Sequence, residues 1–191
     1  ISVPYESDGF TYDSTPPSVG SIYNGETGNF RYIGNDSSIS VHWETFYDNE
    51  SGIDHYLLSL GSSVNSNDII SELLVGPGIS SFTFNNINLF NGYEYFTTIQ
   101  AFDKAGNQSE HVTSSGVILD TQPPNIGQIY DGLDFSDREW SNSINTYSFS
   151  FGGFTDSLSG EVVFSFGLGS QPSIDDLYRF GDPVINTNQT L

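Results

Sequence analysis

The sequence predicts an all-β fold of tandem β-sandwiches with the second sandwich incomplete, and three observations carry that prediction. The first is a repeat at domain length. Gly116–Gly132, with Asp120, Pro123–Pro124 and Ile129–Tyr130 inside it, restates Gly9–Gly25, with Asp13, Pro16–Pro17 and Ile22–Tyr23, at a spacing of 107 residues. A period that long is a whole module and not a solenoid turn. The second is strict alternation of apolar and polar residues in short runs, the pattern of half-buried strands. The third is composition: apolar residues are only 36% of the chain but aromatics reach 15%, which suits thin two-sheet cores filled by Phe and Tyr. Gly, Ser, Asn and Asp separate the runs, as turns require.

The repeat continues past the seam, its register moving by one residue. Asp48–Gly52 returns as Asp156–Gly160, Leu60–Ser62 as Leu168–Ser170, and Asp68–Ile69 as Asp176–Leu177, each at a spacing of 108. These matches set the domain boundaries: residues 1–13 as the last strand of a preceding module, 14–120 as a complete sandwich, and 121–191 as a partial second sandwich.

Each element of the first module has its own signal. Val19–Ile22 reads as the first strand. Ile39, Val41 and Trp43 share one face of the second, and Asp48–Gly52 makes the turn after it. Tyr56, Leu58 and Leu60 point inward on the next strand, and Ser66–Ile70 is expected to form one short helical turn. Phe82 and Phe84 mark another strand. Tyr95, Thr97, Ile99 and Ala101 share the inward face of the strand that follows Gly92. Asp103–Asn107 is a hairpin turn, and Val112–Leu119 returns as the closing strand. About seven strands over one repeat is a sandwich signature. In the second module Tyr147–Phe149–Phe151 and Phe164–Phe166–Leu168 read as strands, Phe151 stands where Trp43 stood, and the match fades after Leu177.

Pro16–Pro17 and Pro123–Pro124 stiffen the joints, because proline fixes its own φ and pushes the preceding residue to extended geometry. No counterpart of Tyr95 or of the closing strand follows in the second module. The chain is therefore expected to be an excerpt of a longer polypeptide, a reading that the absence of methionine also favours. The alternative is a sandwich completed by a partner through strand exchange.

Charge excludes whole classes of function. Twenty-four acidic residues face four basic ones (Arg31, Lys104, Arg138, Arg179), for a net charge of −20. Phosphate backbones and anionic membrane surfaces are repelled, so nucleic acid is not an expected partner. No apolar run approaches the ~18 residues a membrane helix needs, so no membrane insertion is expected in this segment. Without cysteine there is no disulfide or thiol chemistry. His42, His55 and His111 show no metal-ligand spacing, and no nucleophile elbow, phosphate loop or carboxylate dyad stands out. The chain is not expected to be an enzyme, nor to need a cofactor other than calcium.

Hard cations take clustered oxygen ligands. Asp13 and Asp120 lie at the joints, Asp103 and Asn107 in the hairpin near one end, and Asp48 and Glu50 in a turn. These are the candidate calcium ligands. A joint site of this kind would tie two modules together. The competing reading has the same residues making ordinary turn bonds from side chain to backbone, and Leu158 replaces Glu50 in the second copy. Asn35, Asn49, Asn107 and Asn188 each head a glycosylation triplet. Phe90, Tyr47 and Trp140 are candidate exposed aromatics for stacking on sugars.

Trp43 on the second strand, Leu89 ahead of Gly92–Tyr93–Glu94–Tyr95, and Ile99–Gln100–Ala101 resemble a fibronectin type III domain. With the Pro-Pro seam and Ala101–Asn107, the chain resembles the tandem fibronectin-like repeats of large bacterial surface proteins. The resemblance implies that Trp43 packs across the core and that Tyr95 and Leu89 form a tyrosine corner. Trp43, Tyr56, Leu89, Tyr95, Ile99, Phe151 and Phe164 are then the expected core. The implied role is an extracellular, cell-surface stalk or adhesin spacer, whose partners are neighbouring modules, copies of itself or cell-surface glycans. A polysaccharide-binding accessory module and a self-assembling filament subunit are the rival readings.

Overall fold

The computed structural model describes residues 5–44, 46–143, 145–160 and 162–181, and the backbone of 188–190. Twelve strands are placed: β1 (Ser21–Asn24), β2 (Tyr32–Ile33), β3 (Ser38–Glu44), β4 (Ile53–Gly61), β5 (Ile70–Val75), β6 (Ser81–Asn85), β7 (Glu94–Asp103), β8 (Val112–Thr113), β9 (Val117–Leu119), β10 (Gln128–Tyr130), β11 (Ser148–Gly152) and β12 (Asn188–Thr190). Among the described residues there is no helix. The chain divides into two compact units, Ile1–Thr121 and Gln122–Leu191.

The first unit is a sandwich of two sheets. One has the order β1-β3-β6 and the other β2-β9-β7-β4-β5, with β8 also pairing β7. Every pair is antiparallel except β2 with β9, where Tyr32 faces Ile118 and Ile33 faces Leu119 in parallel. Strand order and the two-sheet packing make this a fibronectin type III/immunoglobulin-like sandwich. Alternation dictates which side chains go inside. Ile39, Val41 and Trp43 of β3 meet Tyr56, Leu58 and Leu60 of β4, Tyr95, Ile99 and Ala101 of β7, and Val117 and Leu119 of β9 in one buried cluster. Tyr56 stands edge-on to both Trp43, at a centroid distance of 5.5 Å, and Phe46, at 5.7 Å. Such aromatic contacts add stabilisation beyond the area they bury.

The Tyr95 hydroxyl, buried beside Leu89, accepts the Phe90 N–H at 2.7 Å, which is the tyrosine corner the resemblance implied. A second clamp joins the two sheets. Buried Asn24, at the end of β1, donates from Nδ2 to the Gly116 carbonyl at 2.7 Å. Gly116 sits at φ +82°, and a Cβ there would lie 2.7 Å from the Glu94 carboxylate and the Phe96 ring. Only glycine fits this place.

Several element boundaries differ from expectation. The first strand is Ser21–Asn24 rather than Val19–Ile22. No helical turn forms at Ser66–Ile70; instead the Ser66 N–H closes a turn onto the Ser63 carbonyl at 3.0 Å, and β5 begins at Ile70. The closing strand is split into β8 and β9. Serine hydroxyls take over beside the split: the Thr97 N–H donates to Ser114 Oγ at 3.1 Å and the Ala101 N–H to Ser109 Oγ at 2.9 Å. His42 lies half-buried on the outer face of β3, where its ring stacks on Tyr23 at 5.1 Å and its Nδ1 meets the Gly25 carbonyl at 2.8 Å. His55 likewise stacks on Phe102 at 4.6 Å.

The second unit repeats the first strand by strand as far as it goes. Its sheet β10-β11-β12 has Ile129 opposite Phe151, where the first unit has Ile22 opposite Trp43. Phe149 faces Gln189 as Val41 faces Phe82. The isolated bridge Asn125–Thr155 restates Ser18–Tyr47, and Leu168–Tyr178 stands where Leu60 pairs Ile70. Phe149 and Phe151 are buried. Phe164 is half-buried against Phe151 at 4.5 Å. The expected strand Phe164–Phe166–Leu168 is reduced to isolated bridges. Among the described residues no counterpart of β7, β8 or β9 occurs in this unit.

Residues 5–13 belong to no strand of either unit; residues 1–4 lie outside the described residues.

Candidate functional site: an acidic cluster at one pole

The chain enters and leaves the first sandwich at opposite poles. On the entering side, Ser18 bridges Tyr47 just past the end of β3, and Asn107 Nδ2, beyond the end of β7, donates to the Asp13 carbonyl at 3.3 Å. On the leaving side, the Leu119 N–H donates to the Tyr93 carbonyl at 3.1 Å and the Thr121 N–H to Asn91 Oδ1 at 2.7 Å, both ahead of β7. The ten residues of β7 run between the two poles.

At the entering pole, Asp13, Asp48 and Glu50 bring one carboxylate oxygen each within 4.8 Å of one another. Two are half-buried and Glu50 is exposed. The turn that presents Asp48 and Glu50 is built by Asp48 itself, whose Oδ1 accepts the N–H groups of Glu50, Ser51 and Gly52 at 3.1, 2.8 and 2.9 Å. Asp13 Oδ1 accepts the Thr15 N–H at 2.9 Å. Its Oδ2 is sealed from solvent. The Ser51 hydroxyl, followed by the Thr15 N–H, holds the Asp13 carboxyl below the ordinary aspartate range, so it is charged at neutral pH. A shallow cleft lined by Thr15, Pro16, Ser18, Tyr47 and Asn49 opens beside the cluster.

The six residues singled out as calcium ligands thus separate into groups. Asp13, Asp48 and Glu50 converge. Asp103 is buried and committed to its own turn: Oδ1 accepts from the N–H groups of Ala105 and Asn107 at 2.9 and 2.8 Å, and Oδ2 accepts from Asn107 Nδ2 at 2.8 Å. Both Asp103 oxygens are thus engaged within that turn. Asn107 touches the site through its bond to Asp13, and its Nδ2 also donates to Asp103 Oδ2. Asp120 lies at the opposite pole, where its N–H donates to the Ile33 carbonyl at 2.8 Å.

Asn35 and Asn49 are exposed, while the Asn188 side chain lies outside the described residues. Phe90, Tyr47 and Trp140 are all exposed. Phe90 lies 6.0 Å from exposed Tyr93 with the rings tilted by 58°, so the pair offers no coplanar platform for a sugar.

A residue that sequence reasoning used only for register has a structural role. Asp68 accepts the Ser62 N–H at 2.9 Å and the Ser62 and Ser66 hydroxyls at 2.7 Å. Asp176 repeats this in the second unit, accepting the Ser170 N–H at 2.7 Å and its hydroxyl at 2.8 Å. The Ser62 N–H, first, and the two hydroxyls hold Asp68 far below the ordinary range; the Ser170 N–H and hydroxyl lower Asp176. The recurrence of Ser62 and Asp68 together, 108 residues on, was the available signal.

No family model and no curated protein matches the chain. Two solved structures share a distant likeness. The FN1–FN3 domains of chicken CNTN1 align over 92% of this chain and 55% of that one, at 19% identity and a TM-score of 0.39. Domains A168–A170 of titin align over 54% of this chain and 31% of that one, at 21% identity and a TM-score of 0.35. The chain thus spans about half the length of the first and a third of the second. The fold is assigned on the strand order and register given above.

Proposed function

We propose that this chain is a length of tandem sandwich repeats acting as a structural spacer in an extracellular surface protein or adhesin stalk. The observation that carries the reading is the placement of the entering and leaving segments at opposite poles of the first sandwich, with β7 between them. A module built this way adds its own length to a chain, about 33 Å for ten strand residues. Pro16–Pro17 follow Asp13 after Ser14 and Thr15 at the entering pole and limit bending there. The high negative charge keeps such arrays from associating with one another.

Calcium fits the Asp13–Asp48–Glu50 cluster and would make it a clamp. Hard divalent cations take carboxylate oxygens, and Asp13, Asp48 and Glu50 bring one each within 4.8 Å of one another. A cation held by these three residues would fix the segment that enters the sandwich against the turn after β3. The second copy of the turn has Leu158 in place of Glu50 and offers one carboxylate fewer.

Small-angle scattering of the native polypeptide, in calcium and then in chelator, tests both parts. The spacer reading expects an elongated particle that lengthens by about 35 Å per added repeat. A compact particle overturns it. Chelator is expected to broaden the distance distribution; a distribution that chelator leaves unchanged removes the calcium clamp and leaves the spacer standing.

A further inference from the structure

We infer that the open side of the first sandwich is closed to strand addition. A side-chain amide on β6 and a bulge in β5 keep both sheet edges from pairing with a second copy of this chain. This protection acts between neighbouring copies side by side, and it holds whether or not the chain is a spacer.

β6 ends one sheet of the sandwich and β5 ends the other. A cleft lined by Leu74, Val75, Ile79 and Phe82 lies between them, so the two edges share one side. Leu74 and Ile79 are exposed there. An edge strand offers unpaired N–H and C=O groups as a template, and apolar side chains beside it add to the attraction. Identical edges on two copies can pair about a two-fold axis.

Register identifies the groups of β6 that are at risk. Val41 stands opposite Phe82 and Ile39 opposite Phe84, and the Trp43 N–H donates to the Ser80 carbonyl at 2.8 Å. In an antiparallel pair the bonds to one neighbour recur at every second residue. Phe82 and Phe84 therefore bond β3, while Ser81, Thr83 and Asn85 turn their backbone groups to the open edge. The middle carbonyl of these is that of Thr83. Asn85 folds back and donates to it from Nδ2 at 3.0 Å. Asn86, at φ +57°, follows the end of the strand. A second copy thus meets an edge of five residues whose central acceptor already holds a donor.

β5 is guarded differently. Leu73 stands opposite Leu58 and Ile70 opposite Leu60, so Ser71 and Glu72 share the single place opposite Ser59. The two are exposed in succession, which breaks the alternation of the strand. A bulge of this kind bends an edge away from a straight partner. It also places a charged residue, Glu72, in the edge strand, where a second copy would set a like charge against it. Asn67 Nδ2 donates to the Ser71 carbonyl at 3.4 Å, a second amide cap on an edge carbonyl.

Sedimentation of the native polypeptide at high salt separates this geometry from charge repulsion, because at about 1 M the screening length falls to about 3 Å. The parent chain is expected to stay monomeric there. Asn85→Val frees the Thr83 carbonyl and supplies a good strand former. It is expected to strengthen self-association about tenfold, with new protection from hydrogen exchange at the amides of Ser81 and Thr83. Deletion of Glu72 removes the bulge and is expected to do the same at β5. Should that deletion unfold the sandwich, Asn85→Val still decides the matter, because Asn85 is exposed and no part of the core. Variants as monomeric as the parent would overturn the inference. So would a parent that itself associates at high salt through β6, since charge alone would then be keeping copies apart. Association of Asn85→Val without protection at Ser81 and Thr83 would place the contact elsewhere and overturn it equally.

Discussion

Asn107 reaches back 94 residues to donate from Nδ2 to the Asp13 carbonyl at 3.3 Å, while the same amide group braces buried Asp103 at 2.8 Å. One side chain thus pins the entering segment to the hairpin that ends β7. Asn107→Ala removes both bonds and leaves a buried carboxylate short of a donor. The expected loss is about 2 kcal/mol, read by chemical denaturation. Faster proteolysis between Asp13 and Ser18 should accompany it, and a variant of unchanged stability would contradict the role.

Tyr95→Phe tests the tyrosine corner without changing the shape of the core. It removes the acceptor of the Phe90 N–H. An unsatisfied part-buried donor costs about 1–3 kcal/mol, and in a domain of this size the melting temperature should fall by at least ~4 °C.

Asn24→Leu probes the clamp between the sheets. The Gly116 carbonyl loses its 2.7 Å donor in a buried setting, and a bulkier, apolar side chain replaces the amide. A loss of about 1–3 kcal/mol is expected. Measured stability equal to the parent would mean that β9 is held by its ladder bonds alone.

Acid sensitivity follows from the turn aspartates. Asp68 and Asp176 are held down chiefly by the Ser62 and Ser170 N–H groups, and Asp156 by those of Leu158 and Ser159. Their folded values lie below the ordinary 3.8, so what they contribute is present above that pH and is lost as the pH falls through the folded values. Stability is expected to be flat above about pH 5 and to drop below pH 4. Asp68→Asn and Asp176→Asn should each make the acid limb shallower. A limb of unchanged steepness in both variants would contradict this assignment.

The fold was legible because its signals are local and doubled. Ile39, Val41 and Trp43 alternate on one strand and Tyr56, Leu58 and Leu60 on the next, and Leu89 with Tyr95 marks the corner at a fixed distance from Gly92. What the sequence hid was set by contacts between distant residues. β2 is two residues long, too short for any period, and exists because Arg31 and Ile33 carbonyls meet the N–H groups of Ile118 and Asp120. The split between β8 and β9 depends on Ser109 and Ser114 reaching β7 with side chains, an exchange that alternation does not encode. The acidic cluster was partly legible. Asp13, Asp48 and Glu50 were each singled out as acidic turn or joint residues, but that these three converge is set by the fold. Asp103 stands apart from that cluster, with its carboxylate bonded within the turn it closes.

The most direct test of the spacer account is the distance between the two poles in solution. The chain has no native cysteine, so spin labels at Ser14→Cys and Tyr93→Cys are unique. The account predicts one narrow distribution centred near the length of β7, about 33 Å, lengthened by the label arms. A broad distribution, or one centred well below that length, would contradict it.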